Sequence, residues 1–426
     1  MTFAALLPRI ETAALKTLSL KFAFQNASSV ILGPPSMKIT DVEAIYVRLP
    51  EVKEQADSGQ DAVIVKVHTD AGITGIGEVD SAPLAVKGII EGPYSHTISQ
   101  GLKHVLLGED PFQTEYLWQK MYDQNIYVGR RGIAIHAMAG IDLALWDIKG
   151  KALGLPVWKL LGGGFHSKIR CYASSLFGNT PAETAQLGRS LLDKGFNAVK
   201  FGWGPMGKTA EEDIALVAHA RKGLGDRADL IVDAGLVWDG RTAIRRARAF
   251  SEFNIFWLEE PLRPDDYNGY RRLSESTDVH IAAGEHESNR LSFLDLMDHG
   301  RIDIVQVDLA RCGITEAMKI ASLAHDRGLK VANHGFSTYI NVMAALHWLN
   351  SIPNALIAEF VVQESTNLRE MITRQKLRAR DGFLDIPQEP GLGIDLDGKR
   401  LEASRKKYKK GTTASSKRPT NHHSSP

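Results

Sequence analysis

The sequence predicts an α/β barrel preceded by a smaller α+β unit, and three features carry that prediction. Beyond residue 165, eight short apolar runs alternate with segments long enough for one helix each. Seven of those runs carry, in order, an ionisable residue at their last or next-to-last position. Ahead of them, residues 38–78 follow the two-residue period of strands and then give way to helical spacing.

The leading unit reads as a meander of three strands, Ile39–Leu49, Ala62–His68 and Ile73–Glu78, with Asp70-Ala71-Gly72 turning the second into the third. A polar segment, Pro50–Gln60, separates the first two. Helical spacing runs from Ser81 to Gly162. It is clearest over 133–153, where Ile133, Ala137, Ile141, Leu145 and Ile148 recur at steps of three or four, and Gly154-Leu155-Pro156 stops it. After Gly162-Gly163-Gly164 come the apolar runs Ile169–Ala173, Ala198–Phe201, Leu230–Ala234, Ile255–Glu259, Ile281–Glu285, Ile302–Asp308, Leu329–His334 and Leu356–Phe360. An open doubly wound sheet alternates in the same way. However, no Gly-x-Gly-x-x-Gly follows the first run, and eight evenly spaced units favour closure.

Composition narrows the class. With 43% hydrophobic and 24% charged residues the chain has the make-up of an ordinary globular protein, and no apolar run approaches the ~20 residues of a membrane span. Cys171 and Cys312 form no metal or redox spacing, which points to a reducing, cytoplasmic setting. The net charge of +1 hides an asymmetry: residues 403–426 hold seven Lys or Arg and no acid, so the remainder is acidic. That basic end, rich in Ser, Thr and Pro, reads as a solvated disordered tail rather than a nucleic-acid site. Residues 1–36 lack the pattern of a secretory signal and read as an N-terminal extension. The α+β unit then spans 37–165 and the barrel 166–377.

The strand ends carry the chemistry. They hold Lys200, Asp233, Glu259, Glu285, Asp308, His334 and Glu359, spaced by 23 to 33 residues, and all would meet at the C-terminal mouth where barrel active sites are built. Singly, each has a structural explanation, since an acid after a strand often caps the next helix. Together they form a like-charge cluster that needs neutralising. Asp233, Glu259 and Glu285, hard oxygen donors from adjacent strands, suit Mg²⁺ rather than Zn²⁺. Such an ion would acidify the C–H beside a bound substrate carboxylate. Lys200 would share the developing negative charge, and His334 with Asp308 reads as a general base with its orienting partner. Glu359, if protonated or water-linked, would donate a hydrogen bond to the enediolate.

These residues and their flanks resemble the mandelate racemase branch of the enolase superfamily. The resemblance rests on Ile141-Asp-Leu-Ala-Leu-Trp-Asp147, Leu160-Leu-Gly-Gly163, Val199-Lys-Phe201, Ile231-Val-Asp-Ala234, Trp257-Leu-Glu-Glu-Pro261, Gly284-Glu285, Asp308 and Asn333-His334, and it covers about 38–401. It implies a modified TIM barrel, (β/α)7β, under an α+β capping domain, with residues 378–402 returning to the cap and 403–426 left as the tail. It also implies the same three metal ligands and a symmetric homo-oligomer. Racemases of this branch carry a second lysine on strand two, where this chain has Gly202. Loops such as Gly284-Glu-His-Glu287 and Cys312-Gly-Ile-Thr-Glu316 are similar to those of L-rhamnonate dehydratases. The expected activity is therefore dehydration of a sugar acid, aldonate or aldarate, to a 2-keto-3-deoxy acid. The alternatives are a racemase or epimerase of a 2-hydroxy acid, or an inactive barrel used for binding. The expected partner is a small carboxylate substrate. Specificity is expected from Glu51–Gln60, Glu78–Val86 and Tyr127–Arg131, with Lys53, Arg130 and Arg131 either facing substrate or solvated.

Overall fold

A computed structural model describes residues 37–49, 60–362 and 368–411. Lys53, and most of the loop that carries it, lie outside the described residues, as do the N-terminal extension and residues 412–426.

Strands β1 (Ile39–Arg48), β2 (Asp61–Thr69) and β3 (Thr74–Val79) form an antiparallel sheet in the order β1-β2-β3. The helix Ile133–Leu153 packs on this sheet and, on its other side, on a barrel helix, which is why it is buried nearly all round. It ends where Gly154 takes φ 65°, a left-handed C-cap whose N–H returns to the Lys151 carbonyl.

The second sheet closes on itself. Its parallel strands are β4 (Lys168–Leu176), β5 (Ala198–Gly202), β6 (Asp229–Asp233), β7 (Ile255–Glu259), β8 (Ile281–Ala283), β9 (Ile304–Asp308), β10 (Lys330–His334) and β11 (Ala355–Val361), with β11 pairing back to β4. A helix follows each of β4 to β10, so the architecture is the capped, modified barrel that the sequence predicts. A ninth, short strand, β12 (Phe383–Asp385), adds antiparallel to the start of β4.

The barrel interior explains the mouth. One buried residue from each strand, Tyr172, Ala198, Ile231, Trp257, Ala282, Ile304, Ala332 and Ile357, fills an apolar layer. Two bulky rings, Tyr172 and Trp257, meet edge to face at 5.5 Å, and alanines on other strands leave them room. Side chains two residues further along a strand point the same way. Ser174, Lys200, Asp233, Glu259, His334 and Glu359 therefore form the next layer, directly on top of the apolar plug.

Past the barrel, the helix Gly398–Gly411 packs against β1, and Ser404 Oγ bonds the Arg48 backbone on both sides at 3.2 Å. Leu401 and Ser404 of this helix are buried.

Candidate active site

A cavity of about 160 Å³ opens at the C-terminal mouth of the barrel. Of the residues singled out from the sequence, it brings Lys200, Asp233, Glu285 and His334 to its wall. Glu259, Asp308 and Glu359 sit behind them, each fully buried.

His334 faces two carboxylates. Nδ1 lies 2.6 Å from Asp308 Oδ2, and Nε2 lies 3.5 Å from Glu285 Oε2. Burial works against a charged imidazole, but Glu285 and Asp308 outweigh it and carry the pKa up to about 10. Asp308 is doubly committed: its Oδ1 accepts from Ala310 N–H at 2.8 Å, capping the helix Leu309–Asp326, and from Asn341 Nδ2 at 3.0 Å. The helix-cap role and the His-orienting position thus belong to one residue.

Lys200 is anchored from below. Its Nζ pairs with Glu259, lies 2.8 Å from Glu359 Oε1 and 3.8 Å from Asp233 Oδ2. These charges overcome its burial and raise its pKa well above the usual lysine range, so it is a fixed cation. Glu359 is a second carboxylate on Lys200. Burial pushes its carboxyl up, but Lys200 and then His334 take it down to about 2, and its Oε2 accepts from Gly335 N–H at 2.7 Å. In this geometry Glu359 accepts from Lys200 on β5 and from the Gly335 N–H.

Asp233, Glu259 and Glu285 come from β6, β7 and the turn after β8. Burial, then the Glu259 charge, push Asp233 well above the usual carboxylate range. Burial raises Glu259 as well, against Lys200. Such a cluster is short of positive charge, and its all-oxygen donor set fits a divalent cation of the Mg²⁺ type. In these side-chain positions the three do not converge. Glu259 is turned onto Lys200 and onto Trp257 Nε1, at 2.9 Å. Among the described residues, no group of three or more His, Cys, Asp or Glu side chains is gathered as a metal site.

The mouth also stores backbone strain. Trp203, Leu236 and Glu260, each just after β5, β6 or β7, have φ of 54°, 66° and 41°. Bulky residues in that region cost on the order of 1–3 kcal/mol each and persist where surrounding structure holds them. Gly202 is as constrained in another way: a Cβ there would meet Asp233 Cβ at 2.7 Å, so a side chain at 202 and Asp233 in its present place exclude each other.

Several lining residues carried no signal in the sequence: Ser174, Ser175 and Leu176 at the end of β4, Trp203, and Phe336, which stacks on His334 at 6.1 Å. Arg311 also lines the cavity, its Nη1 donating to the Glu285 carbonyl at 2.5 Å. Asp80 lies in the cap segment expected to govern specificity, and the strand period of Glu78 and Asp80 is the signal that could have singled it out. Arg130 and Arg131 are exposed, and Arg131 reaches Asp295 at 3.3 Å.

Residues 183–400 match the family described as Enolase C-terminal domain-like, and residues 45–162 match Mandelate racemase / muconate lactonizing enzyme, N-terminal domain. The chain belongs to the mandelate racemase/muconate lactonizing enzyme family of the enolase superfamily. That membership implies a divalent-metal-dependent mechanism. Among its relatives, a D-galactonate dehydratase of Variovorax paradoxus is 34% identical over 358 residues, 80% of this chain and 90% of that one. A D-galactarolactone cycloisomerase of Agrobacterium fabrum is 31% identical over 79% of this chain and 89% of its own length. The crystal structure of the 3,6-anhydro-D-galactonate cycloisomerase from Zobellia galactanivorans superposes with a TM-score of 0.77 at 32% identity, covering 86% of this chain and 99% of that one. No helix among the described residues is long and apolar enough to cross a membrane.

Proposed function

We propose that this protein is a Mg²⁺-dependent lyase that removes the α-proton of a sugar acid and expels water, giving a 2-keto-3-deoxy acid. The observation that carries the reading is one strong dyad, His334–Asp308 at 2.6 Å, whose histidine lines the same cavity as the fixed cation Lys200. The dehydratase relatives support the same outcome.

Asp233, Glu259 and Glu285 would hold the ion, which supplies positive charge for the substrate carboxylate and offsets the Glu285 charge that keeps His334 protonated. Neutral His334 takes the C2 proton on Nε2, while Asp308 fixes the other nitrogen as N–H. Lys200, held protonated by Glu259 and Glu359, stabilises negative charge developing on the substrate carboxylate. The C3–O bond then breaks. The departing hydroxide takes a proton from the imidazolium and leaves as water, and the enol tautomerises to the ketone. A racemase needs a second base on the opposite face. Gly202, closed to any side chain by Asp233, disfavours one at that position.

The cycloisomerase relatives favour a second reading, with identical proton abstraction but a ring oxygen as the leaving group. Purified protein with Mg²⁺ should convert members of an open-chain aldonic and aldaric acid panel to 2-keto acids. Conversion of lactones or anhydro acids alone would select the second reading. The proposal also carries a homo-oligomeric, cytoplasmic protein, and light scattering tests the assembly.

A further inference from the structure

The cap contributes a charge to the cavity that proton abstraction does not use. Asp80 stands one residue beyond β3 and lines the same cavity as Lys200, Glu285 and His334. Its Oδ2 lies 3.5 Å from Arg311 Nη2, its Oδ1 accepts from Ser81 Oγ at 3.0 Å, and its side chain is only 14% exposed. Burial alone would raise its carboxyl, but Arg311 and then His334 hold it below its ordinary range, so it stays ionised.

The position is rigid. Glu78, on the same face of the strand, is fully buried and accepts from Thr338 N–H at 3.0 Å and Asn341 N–H at 3.1 Å, a carboxyl group locked on the N-terminus of the helix Tyr339–Asn350. Asn341 in turn holds Asp308. Asp80 is therefore a fixed negative charge, referenced to the same helix as the catalytic dyad.

The cavity's permanent cations are committed. Lys200 pairs with Glu259 and Glu359; Arg311 lies against Asp80 and, at 3.7 Å, Asp308 and donates to the Glu285 carbonyl, and its Nε–H, which has no hydrogen-bond partner, is buried. Other lining residues are apolar or hydroxylic: Leu176, Trp203, Phe336 and Ser175. Among the described residues, nothing in the cavity offers an uncommitted cation to a second carboxylate, whereas Asp80 can accept hydrogen bonds from hydroxyls.

We propose that Asp80 is a specificity-determining residue: it accepts the hydroxylated tail of a monocarboxylic, aldonate-type acid and repels the distal carboxylate of an aldarate. This rests on the sugar-acid dehydratase reading and narrows it. Like charges held within one small cavity at intermediate dielectric discriminate roughly 10- to 100-fold. The test uses the full chain with Mg²⁺ and matched acids differing only at the far carbon, D-galactonate with galactarate and D-gluconate with D-glucarate. Wild type should favour the monoacid in kcat/KM by that factor, and Asp80→Asn should narrow the ratio to a few-fold, mainly by lowering KM for the diacid. Calorimetric Kd values should move in parallel. A wild-type preference for diacids, or an Asp80→Asn ratio and Kd set equal to wild type, overturns the inference while leaving the dehydratase reading intact. Binding without any keto acid formed overturns the dehydratase reading, and the Kd comparison still decides the role of Asp80. Absence of binding by either acid overturns both. Should Asp80→Asn fail to fold, Asp80→Ser, which keeps an acceptor and removes the charge, takes its place with the same expected and overturning ratios.

Discussion

Replacing Lys200 with Met removes a cation from among buried carboxylates while keeping the length of the side chain. The ammonium pairs with Glu259, lies 2.8 Å from Glu359 and 3.8 Å from Asp233, and its side chain is 3% exposed. Breaking a buried pair by deleting one partner costs about 3–5 kcal/mol, because the charge left behind stays desolvated. Methionine fills most of the volume, so cavity formation adds little. Urea unfolding in EDTA, followed by tryptophan fluorescence, should therefore register a loss of about 3–5 kcal/mol. Adding Glu359→Gln removes one of the stranded charges and should restore at least about 1 kcal/mol, a coupling measurable in a double-mutant cycle. A loss below about 1 kcal/mol, or strictly additive effects of the two substitutions, would refute the claim that Lys200 is the structural counter-ion of the carboxylate layer.

Three further outcomes follow from the same geometry. Chelation should abolish turnover and Mg²⁺ restore it better than Zn²⁺, while Glu285→Gln should be folded by circular dichroism yet unresponsive to Mg²⁺; full activity after exhaustive EDTA treatment contradicts the metal reading. Gly202→Ala, with its Cβ driven to 2.7 Å from Asp233, should lower stability by about 1–3 kcal/mol and weaken Mg²⁺ binding in calorimetry, and wild-type values for both would dismiss the clash. Burial raises Asp142 from 3.8 to about 7, so the folded state keeps a proton that the unfolded chain releases. Stability from that proton is complete below about pH 4 and is lost as pH rises to about 7, about 4 kcal/mol in all; Asp142→Asn should flatten that slope, and parallel profiles would refute it.

The barrel was legible because each strand is a short buried run and each mouth residue follows it at a fixed place, so order and spacing alone aligned Lys200 with Glu359. Glu78 and Asp80 were harder to read. A carboxylate at the end of an exposed-looking cap strand gives no hint that the cap docks on the helix Tyr339–Asn350, since that contact joins residues 260 positions apart. Trp203 and Phe336 belong to loops whose conformation depends on left-handed or irregular backbone, which follows no hydrophobic period. The Lys200–Glu359 pair left no local signal for a related reason: it joins strands brought together by closure of β11 onto β4. The helix Gly398–Gly411 has a basic composition that gives no apolar period, and the buried Leu401 and Ser404 lie in its first half.

The central claim is that one base, His334, exchanges the substrate α-proton. The direct measurement is solvent-deuterium incorporation at C2 of a turned-over sugar acid, comparing wild type with His334→Asn in the presence of Mg²⁺. Asparagine keeps a polar side chain beside Asp308 and removes the basic nitrogen, so both exchange and dehydration should vanish while substrate still binds by calorimetry. Asp308→Asn should give an intermediate loss, since the imidazole loses its tautomer control but not its nitrogen. Exchange at a near-wild-type rate in His334→Asn would contradict the account and shift the base to Lys200, despite the carboxylates that hold its proton.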